Sequence, residues 1–484
     1  MKKIILILLP LLMMVGCKKD LTSLNVDPKN PQSVPSRSLF TNAQHTLANT
    51  LASSSVNLNI FRLIVQYWTE TTYVDESQFD LNTRQIPRGV WNTLYRDVLK
   101  DFEEAKRTIP SDVADANVQK NQITITDIME VYTWYYLVTT FGNIPYTDAL
   151  NIDNPFPKYD DQKAIVDDLL KRLDADITAL NISAESFGSA DIVYEGDVAA
   201  WKKFANSLKL KIGMTIADAD AAKAKTTVES AVASGVFTSN ADNAQFNYLS
   251  GPPNTNPIWV DLVQSGRKDF IATNTIVNKM KALGDPRIPY YFTFDATGTD
   301  YSGGVPGASN NYATFSKPAG PLLVPGSTGM ITNPDFPHLL LSYDEVEFFL
   351  AEAVERGFNV GGTAKEHYDK AVTASVRWWG STAADAADYL TQPSVNYLTA
   401  PGNYKQKIGE QKWIALYNRG WDAWIEWRRL DYPVLQKPTG ALTDFPMRFT
   451  YNVDEQNLNK ANYDQAAAAI GGDVVTTKLF WDKF

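Results

Sequence analysis

Cysteine and histidine are scarce in this 484-residue chain, which has one Cys and three His. A lone cysteine excludes a disulfide scaffold and any cysteine-rich zinc site. His45, His338 and His367 stand far apart, so they form no local metal motif, and neither a metal nor another cofactor is expected. Basic side chains are outnumbered, with 45 Lys and Arg against 55 Asp and Glu and a formal charge of -10. Phosphate binding needs a basic face, so nucleic acid is not an expected ligand. Past the first 16 residues no apolar run approaches the roughly 20 residues of a membrane-spanning helix. Catalytic signatures are missing as well: there is no Gly-x-Ser-x-Gly elbow, no His-Glu-x-x-His, no phosphate-binding glycine loop and no dinucleotide fingerprint. The chain is therefore expected not to be an enzyme. A glycan hydrolase needs only two carboxylates across a cleft, so that alternative stays open on sequence grounds.

What the chain has instead is aromatic side chains, 12 Trp, 23 Tyr and 22 Phe, and a distinctive beginning. Lys2 and Lys3 precede an apolar run from Ile4 to Val15, the pattern of a secretory signal. The single cysteine, Cys17, follows immediately after Met14-Val15-Gly16. This resembles a bacterial lipobox, so residues 1–16 are expected to be a lipoprotein signal peptide and Cys17 the acylated N-terminus. Lys18 rather than aspartate follows the cysteine, which favours the outer membrane over inner-membrane retention. Residues 17–35 are polar and proline-rich and are expected to form a tether.

The mature chain is dominated by helical periodicity. Ile125, Ile128, Met129, Tyr132 and Tyr136 share one face. So do Val198, Trp201, Ala205, Leu208 and Ile212, with Asp197 placed as N-cap. Ser342 with Glu345, and Thr363 with Glu366, have capping-box spacing and bracket a helical hairpin turning at Gly361 and Gly362. Glu345, Glu352 and Glu355 are expected on caps and solvated faces, and His367 at the surface. One aromatic helix is expected from Gly409 to Arg429, its Trp413, Tyr417, Trp424 and Trp427 packing in the core and Glu426 pairing with Arg429 on its polar side. Residues 239–338 differ: these 100 residues hold 10 Gly and 11 Pro, against 17 and 14 in the other 384. Structured loops of this kind commonly carry binding sites.

Several segments in fixed order resemble a known family. They are Asp27-Pro28-Lys29-Asn30-Pro31, Tyr194-Glu195-Gly196-Asp197 leading into Trp201-Lys202-Lys203-Phe204, Gly284-Asp285-Pro286-Arg287, Ala351-Glu352-Ala353, Gly409-Glu410-Gln411-Lys412-Trp413, Arg428-Arg429 and the closing Phe480-Trp481. The set resembles the SusD/RagB-like nutrient-binding outer-membrane lipoproteins of Bacteroidetes, in their divergent second subfamily. The resemblance implies a mainly α fold, a tetratricopeptide-like array of helical hairpins with a loop-rich elaboration and few short strands, in one domain over residues 36–484. It also implies a function: capture of a nutrient, an oligosaccharide or alternatively a peptide, and delivery to a SusC-like TonB-dependent transporter.

Sugar binding asks for aromatic rings to stack on pyranose faces and for Asn, Asp, Arg or Gln to meet hydroxyls. Two loop regions offer both. The first holds Trp68, Tyr73 and Arg84; the second holds Asn254, Trp259 and Tyr312, with Arg267 between. These six, Trp68, Tyr73, Arg84, Asn254, Trp259 and Tyr312, are the candidate ligand residues. Lys202-Lys203 and Arg428-Arg429 are candidate basic patches.

Overall fold

In the computed structural model, residues 34–318 and 331–484 are described. The expected signal peptide, Cys17 and almost all of the expected tether lie outside them. Eleven helices carry the architecture: α1 (Ser36–Ala52), α2 (Lys100–Asp112), α3 (Ala116–Phe141), α4 (Gln162–Ala179), α5 (Val198–Thr215), α6 (Ala221–Ser234), α7 (Tyr343–Glu355), α8 (Ala364–Trp378), α9 (Ala383–Thr391), α10 (Tyr404–Ala415) and α11 (Gly420–Leu430). Consecutive members pack side by side, α2 on α3, α3 on α4, α4 on α5, α5 on α6, and later α7 on α8 and α10 on α11. This is the tetratricopeptide-like hairpin array. Among the described residues no helix is long and apolar enough to cross a membrane.

Local chemistry explains most helix starts. Asp115, Asp161 and Asp197 each accept two backbone N–H groups at the N-termini of α3, α4 and α5. Thr363 and Glu366 form a reciprocal capping box on α8, which satisfies donors the helix cannot bond internally. The Ser342 box does not form: its hydroxyl turns to Asp344 instead. Helix α3 is buried along nearly its whole second half, Tyr132 to Phe141, because neighbours pack on several of its faces.

The expected single helix from Gly409 to Arg429 is two helices, α10 and α11, broken at Leu416–Arg419. Gly420 is required there: a Cβ on it would sit 2.6 Å from the backbone N of Arg62. The four aromatic residues are core nonetheless, Trp413 on α10, Tyr417 in the break and Trp424 and Trp427 on α11. Glu345 and Glu352 are buried rather than solvated, and so are Arg428 and Arg429, which therefore form no basic patch. His367 is buried too. Its Nδ1 lies 2.6 Å from Glu347 Oε2 and its Nε2 3.0 Å from the Gly361 carbonyl.

Two small antiparallel ribbons complete the fold. Strand β1 (Trp68–Glu70) pairs with β3 (Phe270–Ala272), Trp68 opposite Ala272 and Glu70 opposite Phe270. Strand β2 (Ala244–Phe246) pairs with β4 (His338–Leu341). A further helix follows β3, Asn274–Leu283, ended by Gly284 at φ 57°. It cannot begin earlier, since Phe270–Ala272 is taken by the strand.

Candidate functional site

The β1–β3 ribbon joins the two loop regions that carry the candidate residues. Thr71 N–H donates to the Asp269 carbonyl at 2.9 Å, extending the ribbon into the segment after β1. From the other side, Asn310 N–H donates to the Thr71 carbonyl at 3.0 Å and Gly307 N–H to Thr69 Oγ1 at 3.2 Å. Glycine makes this approach possible: a Cβ on Gly303 would lie 2.1 Å from the Thr273 carbonyl carbon. Segments remote in sequence are thus tied to one end of the molecule.

A cleft of about 480 Å³ opens beside the ribbon, within the size range of small-ligand sites. Tyr73, Arg84, Arg267, Asp269 and Glu70 line it, together with Val56 and Asn57. Tyr73 is 75% exposed, an aromatic ring held out to solvent. Arg267 and Asp269 form a loose pair at 3.7 Å, both largely exposed.

Beneath the rim lies a buried acid pair. Glu70 Oε2 accepts from Ser77 N–H at 2.8 Å and Ser77 Oγ at 3.0 Å. Glu76 Oε1 accepts from Arg84 Nε at 2.5 Å. Burial, reinforced by the adjoining Glu76 carboxyl, pushes the Glu70 acid up to about 8. The Ser77 bonds to Glu70 and the Arg84 guanidinium on Glu76 pin the segment bearing Tyr73 against the ribbon.

Of the six candidate residues, the structure places Tyr73 and Arg84 together in this cleft. Trp68 must be withdrawn as a ligand contact. It is 1% exposed, its indole Nε1 donates to Tyr417 Oη at 2.8 Å, and its ring packs on Phe270. Strand β1 is covered on both faces, Trp68, Thr69 and Glu70 all being buried. Asn254, Trp259 and Tyr312 do not line the cleft. Asn254 is exposed, Trp259 ends a one-turn helix and is half-buried, and Tyr312 is half-buried with Lys317 Nζ 5.2 Å over its ring. Val56, Asn57, Lys268 and Asp269 were not anticipated. Nothing in their local pattern marks them, since strand pairing brings Lys268 and Asp269 to Tyr73 and a separate turn supplies Val56 and Asn57.

Comparison with known proteins adds independent findings. Residues 28–452 match the family model for SusD-like proteins described as "starch-binding associating with outer membrane". A solved chitin-binding protein is 26% identical, with a TM-score of 0.79, over 93% of this chain and 100% of its own. A SusD homolog from Bacteroides uniformis ATCC 8492 is also 26% identical, with a TM-score of 0.76 over 92% of this chain and 99% of its own. A chitin-binding SusD homolog from Flavobacterium johnsoniae shares the fold at 24% identity and a TM-score of 0.78, over 92% of this chain and 98% of its own. No curated protein sequence matches.

Proposed function

The chain belongs to the SusD-like family of outer-membrane-associated proteins, and on that premise we propose that it is a cell-surface lipoprotein that binds an oligosaccharide and delivers it to a SusC-like TonB-dependent transporter. Cys17 would carry the lipid anchor, leaving residues 36–484 as the single binding domain. The observation that carries the glycan reading is the cleft beside the β1–β3 ribbon, where a solvent-held aromatic ring, Tyr73, stands over Arg84, Arg267 and Asp269. A ring can stack on a pyranose face while guanidinium and carboxylate groups meet its hydroxyls. The binding, rather than hydrolytic, reading is favoured by the engagement of the two buried acids, Glu70 with Ser77 and Glu76 with Arg84.

Two measurements test this. Calorimetry of the soluble domain against neutral oligosaccharides, chitin oligomers among them, should show binding that Tyr73→Ala weakens about tenfold, the loss of one stacking contact of roughly 1–1.5 kcal/mol. Unchanged affinity in that variant removes the cleft from the proposal. Purification of the full lipoprotein from native outer membranes should bring a TonB-dependent channel in stoichiometric amount. Turnover of a glycan by the purified chain would instead favour the hydrolase.

A further inference from the structure

A second groove, of about 610 Å³, lies between the turn Asn240–Asp242 and helix α8. Asn240 Nδ2 fixes that turn to the helix by donating to the Ala374 carbonyl at 3.0 Å. Lys370, Thr373 and Arg377 line the groove from α8. Their spacing of three and then four residues puts them on a single stripe, opposite the buried stripe of Tyr368, Ala371, Val372 and Ser375. Seven residues of helix separate the two cations by about 10.5 Å along the axis.

Neither Lys370 nor Arg377 forms an ion pair with a described residue, although Glu366, one turn before Lys370, feels its charge. Asp369, the acid on the groove, is engaged by Lys365. Asp242, at the turn, is held by Lys203 at 2.7 Å. The groove is thus a local positive spot on a chain of net charge -10. Helix-terminal placement accounts for Arg377 through the helix dipole, but not for Lys370 in the middle of α8. A further feature points to a ligand. Tyr343 offers a half-buried aromatic ring on the facing wall.

We propose that this groove is a second saccharide-binding site, specific for a glycan chain carrying carboxylate groups. Lys370 and Arg377 take two acidic substituents along the chain, and Tyr343 packs against a ring face. Two cations are too few for a nucleic acid, which engages many phosphates at once. The site does not depend on the Tyr73 cleft, and it reverses at one place the repulsion of anionic polymers implied by the net charge.

The test titrates the full domain with an oligogalacturonide and with a neutral oligosaccharide of equal length. Wild type should bind the acidic oligomer, more weakly as salt is raised. Lys370→Gln with Arg377→Gln should weaken that binding about tenfold, as expected for the loss of two exposed charge contacts, with melting temperature unchanged because both side chains are exposed. Tyr73→Ala should leave it intact. Tyr343→Ala should weaken it without altering the salt dependence. The proposal is overturned if the acidic oligomer does not bind, or if the double variant binds it equally well. It is equally overturned if an oligoglutamate of the same charge competes as effectively as the oligogalacturonide, since the site would then read charge alone.

Discussion

The interior of helices α7, α10 and α11 and the cleft beside the β1–β3 ribbon are both rich in charge, yet they handle it in opposite ways. In the interior, Arg429 grips Glu352 with two bonds of 2.5 and 2.6 Å and Glu426 with a third of 2.6 Å, while Lys412 closes on Glu426 at 2.8 Å. A second knot joins Lys211 to Glu345 at 2.9 Å, and Arg419 to Glu345 at 2.7 Å and Asp422 at 2.8 Å. Burial raises the Glu426 and Asp422 acids, but their cationic partners outweigh it and hold both near 2. Each of these charges has a fixed counter-charge, whereas Arg428 on the same helix α11 is held by the Thr139 and Met447 carbonyls instead. At the cleft rim, by contrast, Arg267 and Asp269 are loosely paired and mostly solvated. The residues that make the family recognisable, Glu352, Lys412 and Arg429 among them, belong to the first kind. They are scaffold, and so they identify the fold while carrying no information about the ligand.

The contrast can be broken most severely from the inside. Glu352→Ala leaves Arg429 buried without its main partner, and we expect a loss of about 3–5 kcal/mol in unfolding free energy by chemical denaturation. Trp68→Ala should cost a similar amount, about 3–5 kcal/mol, from the cavity it leaves. Any ligand weakening in that variant should track its instability rather than a lost contact. At the boundary between the two regions, Glu70→Gln keeps the shape of the side chain and removes the ionisation. An acid raised from 4.5 to about 8 on folding takes up a proton in the native state, so its contribution to stability declines as pH rises between those values. The variant should therefore melt higher than wild type above pH 8 and close to it below pH 4.5.

His367 gives a smaller effect of the same sign. Burial lowers its imidazole, but the Glu347 carboxylate and the Gly361 carbonyl outweigh it and the net shift is upward from 6.5. Its stabilising contribution is complete below 6.5 and is lost as pH rises through the higher folded value. His367→Gln should flatten that part of the melting-temperature profile; an unchanged profile would refute the assignment. Least of all, Tyr73→Ala should change stability by under about 0.5 kcal/mol while weakening glycan binding. A variant that melts like wild type and binds less is what separates a rim residue from a scaffold residue.

Much of this protein follows from sequence alone. Apolar spacing and the caps at Asp197 and Thr363 mark helices because those interactions are local, made within a few residues of chain. The ordered family segments are legible for the same reason. Tertiary structure alone decided which charged and aromatic residues face inward. Glu345, Glu352 and Arg429 look like solvated helix positions until α7, α10 and α11 close on one another. Trp68 looks like a ring for a sugar until its strand pairs with Phe270–Ala272 and turns it towards Tyr417. Tyr73, five residues on, escapes that face. Strand register and helix packing join residues some 200 to 350 positions apart, and no local pattern encodes which side of such a pairing a side chain will take.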